Sequence, residues 1–490
     1  MVGAGGLMSE ESGHWDAELF RREGHRMVEW IADYLDGGNR EHTVLSRVKP
    51  GEVAGQLPDD MPMTAEDPEA VWQDFLDIIL PGVTHWNHPG FMAYFGITGS
   101  GPGVLGEMLS AALDVNGMLW RTCPSATELE LKVLDWLRRG LGLPDTFFGF
   151  LNDTASISSL LALAAARDEA DPEIRRRGMT GHADQPPMRV YASDQAHSSI
   201  AKACLTLGFG LDGFRAVPHD SEYRMDTEAL ARMVAEDRAA GLRPLAVVAT
   251  VGTTSTTSVD PCVNIAEICA HESLWMHVDA AYAGSAALSD EYRWCIDGCE
   301  RADSFNFNPH KWLFVPIDAS AFYTRHPDTF KRAFSLVPEY LTTPLSGQVV
   351  DLMDYGVQLG RRFRALKLWW VLRCFGLEGI RERHHRHISM AREFAEWVDA
   401  EPAFERLAPR PFSVVCFRAR PEGIEGEALD DFNMELLEHI NASGEVFLSH
   451  TKLDDGVALR VAIGNLGTVE TDVARCRELL SEGLACLSDH

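Results

Sequence analysis

What the 490-residue chain lacks narrows its chemistry first. Basic residues are in the minority: 44 Lys and Arg against 73 Asp and Glu leave a formal charge of -29. No basic stripe with interleaved aromatics is present, so a nucleic-acid backbone would be repelled and no nucleic-acid partner is expected. No apolar run reaches the ~18 residues of a membrane span. The stretch 1–11 has neither the basic start nor the apolar core of a secretory leader, so no membrane partner and no export are expected. Ten cysteines are scattered from Cys123 to Cys486, and the close pair Cys295 and Cys299 has no second pair or histidines at zinc-ligand spacing. No metal site is expected, and reduced thiols in a cytoplasm fit best. Internal repeats and low-complexity tracts are also missing.

What is present is apolar material, 46% of residues, and a length beyond one core, which predicts two or three regions around one large domain. Phe20, Gly24, Met27, Ile31 and Leu35 recur at helical spacing with Arg21, Arg22, Glu23 and Glu29 between them. This predicts a helix whose apolar stripe needs a partner. A proline-punctuated stretch (Pro50, Pro58, Pro62) and a helical segment near 71–80 follow. Residues 1–100 therefore read as a helical arm that packs on another subunit or covers its own chain. From 101 to 370, apolar or β-branched runs such as 244–251, 274–278 and 313–323 alternate with helical segments. That pattern predicts an α/β domain with a mainly parallel sheet. From 371 to 490, strands at 413–417 and 458–463 among helices predict a smaller α+β domain.

The run Asp303-Ser304-Phe305-Asn306-Phe307-Asn308-Pro309-His310-Lys311-Trp312 carries the most chemistry. Flanking Phe305, Phe307, Trp312, Leu313 and Phe314 would desolvate the Lys311 amine and favour its nucleophilic, uncharged form, as a Schiff-base lysine requires. Asp279 ends the apolar run 274–278, at the sheet edge where α/β folds bind ligands; a carboxylate there serves a ligand or caps a turn. Asn152-Asp153-Thr154-Ala155-Ser156 precedes a helical run, which makes either an anion site or a plain N-cap. His197 follows a short strand, and the hydroxyl-rich turn 252–257 follows another.

Taken together and in this order, these segments resemble the pyridoxal-phosphate-dependent group II amino-acid decarboxylases, closest to the aromatic-L-amino-acid branch, from about Phe20 onward. The resemblance implies a fold type I, aspartate aminotransferase-like large domain, pyridoxal 5'-phosphate as cofactor and a homodimer joined through the N-terminal arm. It assigns Schiff-base formation to Lys311, the pyridine nitrogen to Asp279, ring stacking to His197 and the phosphate to Thr154, Ala155 and Ser156. Thr254 would serve the ring oxygen or the Asp279 network. Ala281, Asn308 and His310 would complete the cofactor site. Ile157 stands where animal members carry an acidic residue.

The same resemblance matches Tyr340, in the loop 337–350, to a tyrosine that protonates the α-carbon after carbon dioxide leaves. Related aldehyde synthases carry phenylalanine there, or replace the histidine matched by His197, so keeping both implies an amine product. Trp86, Tyr94 and Phe95 match an aromatic pocket wall, which suits an aromatic side chain. Gly360 replaces the serine of histidine and plant tyrosine decarboxylases and leaves more room. Asn116 and Met118 replace more apolar or aromatic residues, and Gly96-Ile97 replaces Pro-Thr of animal members. The expected reaction is decarboxylation of an aromatic L-amino acid to its arylalkylamine. The alternatives are an aromatic aldehyde synthase, a decarboxylase of a non-aromatic amino acid, and an inactive cofactor-binding paralogue.

Overall fold

The computed structural model describes residues 14–181, 185–336 and 347–488. Seven strands form the large sheet: β1 (Phe148–Asn152), β2 (Met188–Ser193), β3 (Phe214–Val217), β4 (Arg243–Thr250), β5 (Trp275–Asp279), β6 (Ser304–Phe307) and β7 (Ser320–Thr324). Their order is β1-β7-β6-β5-β4-β2-β3, parallel from β3 to β6, with β7 antiparallel to both of its neighbours. All five residues of β5, and all of β4 beyond its first residue, are buried. Helices cover both faces of such a sheet, so its strands read as continuous apolar runs and not as alternating ones.

One expected strand is mostly something else. In the run 313–323 only the end from Ser320 enters β7, although Leu313, Phe314 and Val315 are fully buried. Phe314 takes a left-handed φ of 58° and Pro316 follows, and neither suits a central strand. Burial alone made this stretch apolar.

Five helices precede or flank the first strands: α1 (Ala17–Leu35), α2 (Pro68–Asp74), α3 (Gly101–Leu113), α4 (Pro124–Leu141) and α5 (Ala155–Ala170). In α1, capped by the Asp16 carboxylate on the N–H groups of Glu18 and Leu19, Trp30 stacks on Tyr34 and meets Trp72 and Phe75 edge-on. Of the expected stripe, Ile31 and Leu35 are half-buried, while Phe20 and Met27 stay 66% and 44% exposed. No helix among the described residues is long and apolar enough to cross a membrane.

The second sheet is antiparallel, in the order β10-β11-β9-β8: β8 (Phe404–Arg406), β9 (Val414–Ala419), β10 (Ser449–Leu453) and β11 (Gly456–Ala462). The long helix Arg364–Ala400 serves both cores. Its Ala365, Leu368 and Val371 pack in the large core, and Met390, Phe394 and Val398 pack in the small one. Between them the helix breaks at Gly376, whose φ of 66° is open to glycine without strain.

The segment 85–95 is sewn into the second sheet. Phe447 N–H donates to Gly90 O, Met92 N–H to Phe447 O and Ala462 N–H to Met92 O, all at 2.9–3.0 Å. Asn465 and Thr468 hold the carbonyls of Trp86, His88 and Pro89. The backbones come so close that a Cβ on Gly90 would lie 2.0 Å from Glu445 O.

Candidate active site

Where β6 ends, the chain turns through Asn308 to Lys311, and Lys311 N–H donates to Asn308 O at 3.0 Å. His310 Nδ1 accepts from Ala319 N–H at 2.9 Å. Burial and the adjacent lysine push its pKa down to about 3, so the ring is neutral. Burial lowers the Lys311 amine below its usual range, against the opposing pull of Asp279. Among the described residues the amine has no hydrogen-bond acceptor; it stands over the Phe95 ring, 5.2 Å from the centroid.

Parallel pairing sets Asp279 of β5 beside Asn306 of β6. Asp279 Oδ1 accepts from Asn306 Nδ2 at 3.2 Å and from Ala281 N–H at 3.1 Å, which leaves Oδ2 without a partner among the described residues. Ala281 O in turn accepts from Asn308 N–H, joining the aspartate turn to the lysine turn. His197 lies within electrostatic reach of Asp279 and Lys311; desolvation lowers its pKa. Ser199 donates its N–H to His197 Nδ1, and its hydroxyl lies 2.8 Å from the same atom, which fixes the neutral ring with its proton on Nε2.

Thr154 is the N-cap of α5, but its side chain caps nothing and bonds Asp153 instead. Among the described residues the N–H groups of Ala155, Ser156 and Ile157 have no acceptors, as an anion site requires. Beneath that turn, Asn152 donates to Ser158, and His277, buried in β5, bridges Ser159 and Ser304. In the turn after β4, the hydroxyls of Thr253, Thr256 and Ser258 form a chain that ends with Ser258 Oγ donating to the Glu222 carbonyl, while Thr254 stays exposed.

The expected wall divides. Phe95 is buried and stacks on Tyr282 at 3.9 Å, whereas Trp86 and Tyr94 pair with each other at 6.0 Å and remain 37% and 53% exposed. Asn116, Met118 and Gly360 form a separate group. The Asn116 amide accepts from Arg361 N–H and donates to Met118 Sδ, and a Cβ on Gly360 would meet only Asn116, at 3.8 Å. Among the described residues, no hydrogen bond, ion pair or ring contact joins this group to Lys311 or Asp279. Gly96 is explained by packing, since its Cβ would lie 3.2 Å from the Gly464 backbone. Tyr340 lies outside the described residues.

Arg460 was not anticipated. Buried in β11, it donates to the carbonyls of Tyr94, Thr254 and Ser255 and to Ser449 Oγ, and its guanidinium lies 5.5 Å from the Phe95 centroid. The signal was a lone charge inside the apolar run 458–462.

An open helix N-terminus for an anion, a carboxylate with one free oxygen for a protonated ring nitrogen, and an amine without an acceptor fit pyridoxal 5'-phosphate. The class is therefore the fold type I enzymes that use this cofactor. The pyridoxal-dependent decarboxylase conserved domain matches residues 50–420, and the chain belongs to that family. It is a pyridoxal-phosphate-dependent amino-acid decarboxylase by family. Phenylacetaldehyde synthase of Arabidopsis thaliana is 42% identical over 477 residues, covering 95% of this chain and 96% of that protein. Tyrosine decarboxylase 2 of the same plant is 40% identical over 480 residues, covering 95% and 87%. The crystal structure of Oryza sativa TDC with PLP and tryptamine superposes with a TM-score of 0.92 at 36% identity, covering 96% of this chain and 99% of that one.

Proposed function

We propose that the chain converts an aromatic L-amino acid, such as tryptophan, tyrosine, phenylalanine or a hydroxylated analogue, to its arylalkylamine and carbon dioxide. The observation that carries this is the aromatic face of Phe95 against the reactive amine, backed by Tyr282. The relatives named for tyrosine and for tryptamine support it.

When bound, pyridoxal 5'-phosphate accepts the electron pair released as the carboxylate leaves the α-carbon. Lys311 attaches the cofactor. Asp279 would hold the ring nitrogen protonated, and His197 would pack against the cofactor ring. The α5 N-terminus, with Thr154, Ala155 and Ser156, holds the phosphate. Thr254, Ala281, Asn308 and His310 shape the surroundings. Tyr340 delivers a proton to the α-carbon. Trp86, Tyr94 and Phe95 select the side chain, with Asn116, Met118 and Gly360 as the further substrate group.

The unit is a homodimer, for which the exposed Phe20, Met27, Val28 and Val71 of the first two helices and Leu105, Leu109 and Leu113 of α3 offer an apolar face. We propose residues 1–100 as arm, 101–370 as cofactor domain and 371–490 as small domain. A cytoplasmic setting suits ten unpaired cysteines.

A second reading, an oxygen-consuming aldehyde synthase, is favoured by the 42% identity to phenylacetaldehyde synthase. The deciding experiment incubates the holoenzyme with tryptophan, tyrosine, phenylalanine, dihydroxyphenylalanine, histidine and glutamate, and follows amine, aldehyde and carbon dioxide. Amine equal to carbon dioxide from aromatic substrates alone supports the proposal. Aldehyde with ammonia and hydrogen peroxide moves the enzyme to the synthases, and turnover of glutamate alone refutes an aromatic substrate.

A further inference from the structure

The residue that follows the reactive lysine is held from two sides by one helix. Trp312 is fully buried. Its indole N–H donates to His387 Nδ1 at 2.9 Å, and its carbonyl accepts from His384 Nε2 at 2.7 Å. Both histidines lie on the helix Arg364–Ala400, beyond the Gly376 break, and a spacing of three puts them on one face.

The contacts then run back to where they began. The Trp312 indole stacks on Tyr282 at 4.9 Å with an interplanar angle of 4°, Tyr282 stacks on Phe95 at 3.9 Å, and the Phe95 face meets Lys311 Nζ at 5.2 Å. Trp312 thus governs both ends of the lysine side chain: the backbone through the peptide bond, and the amine through the stack.

The two rings act as neutral hydrogen-bonding groups, because burial pushes His384 down to about 4 and His387 to about 3. His384 Nδ1 is buried with no partner among the described residues. A leucine would fill this space without an orphaned nitrogen, so the bond to the Trp312 carbonyl is what the imidazole contributes.

We propose that His384 and His387 are positioning residues that set the stance of the Lys311 amine against Phe95, and with it the reactivity of that amine. This rests on Lys311 being the residue that attaches the cofactor.

The test uses the cofactor-free protein. Competitive acetylation across a pH series, resolved by mass spectrometry, follows Lys311 against the exposed Lys49. In His384→Leu and His387→Leu the Lys311 midpoint moves by about half a pH unit or more, while that of Lys49 stays. In the holoenzyme the same variants lose roughly tenfold to hundredfold in kcat with little change in KM. His387→Asn, whose carbonyl oxygen can accept the indole N–H, recovers most of both. Trp312→Phe keeps a ring but removes the N–H, so it reproduces His387→Leu and stands in if the leucine variants fail to fold.

Folded variants with unchanged Lys311 labelling and kcat overturn the proposal, as does a His387→Asn variant no better than His387→Leu. Lys311→Ala separates the two levels. Turnover that survives it removes the role of Lys311 itself. Loss of turnover there, beside normal histidine variants, removes only the positioning.

Discussion

The amine of Lys311 and the ring of Phe95 face each other across 5.2 Å. A ring face attracts a cation. Asp279 also favours the charged amine, yet burial outweighs that pull and lowers its pKa. Under the proposed function the same ring would be a neighbour of the nucleophile and a wall for the substrate. On that reading the covalent chemistry and the choice of side chain would meet at one contact.

Lys311→Ala should lose both the visible absorbance of the attached cofactor and turnover, down to background. The phosphate and ring-nitrogen anchors remain, so fluorescence titration should still detect cofactor bound more weakly. Full absorbance and turnover in the variant would sink the assignment.

Tyr340→Phe should slow amine formation by about 10²–10⁴-fold, the usual contribution of a placed proton donor. The residual product should shift toward aldehyde, read by chromatography together with peroxide release. An unchanged amine yield would exclude Tyr340 as the donor.

Acid should destabilise this protein through its buried neutral histidines. Burial holds His277 at about 4, His310 at about 3, His384 at about 4 and His387 at about 3. A histidine depressed in the folded state contributes stability that is complete above its unfolded pKa, about 6.5, and is lost as pH falls toward the folded value. Within that window each costs up to about 1.4 kcal/mol per pH unit. Denaturant melts from pH 7 to 4.5 should show the fall, and His277→Gln should flatten the slope by about one proton. A flat profile would contradict burial in the neutral form.

Gly90→Ala should be disproportionately costly for one methyl group. The new Cβ would lie 2.0 Å from Glu445 O, and backbone must move to admit it. A loss of about 1–3 kcal/mol is expected, with a lowered melting temperature and a raised KM, since Trp86 and Phe95 hang from the same segment. A wild-type melt would mean that the segment is looser than these contacts imply.

What could be read from the chain beforehand was local. Lys311 in its turn, Asp279 at a strand end and Thr154 before a helix each carry their context within a few residues. The α/β alternation was legible for the same reason. The antiparallel course of β7 was not, because Leu313 to Val315 are apolar through burial and not through pairing. Arg460 escaped because, besides the nearby Ser449, its partners Tyr94, Thr254 and Ser255 come from two distant parts of the chain. Periodicity reports which face is buried, and not what a buried charge will find there.

The stitching of Gly90 and Met92 to Phe447 and Ala462 bears on how the enzyme is made. Thr468 and the Pro89 carbonyl it holds lie 379 residues apart in sequence. While the chain is still emerging from the ribosome, the central strands can already pair, but the segment 85–95, Phe95 included, has nothing to seat against. Phe95, and with it the contact to the Lys311 amine, is therefore seated only once the last strands have arrived. A chain halted before its final strands would keep the lysine turn without the ring that faces its amine.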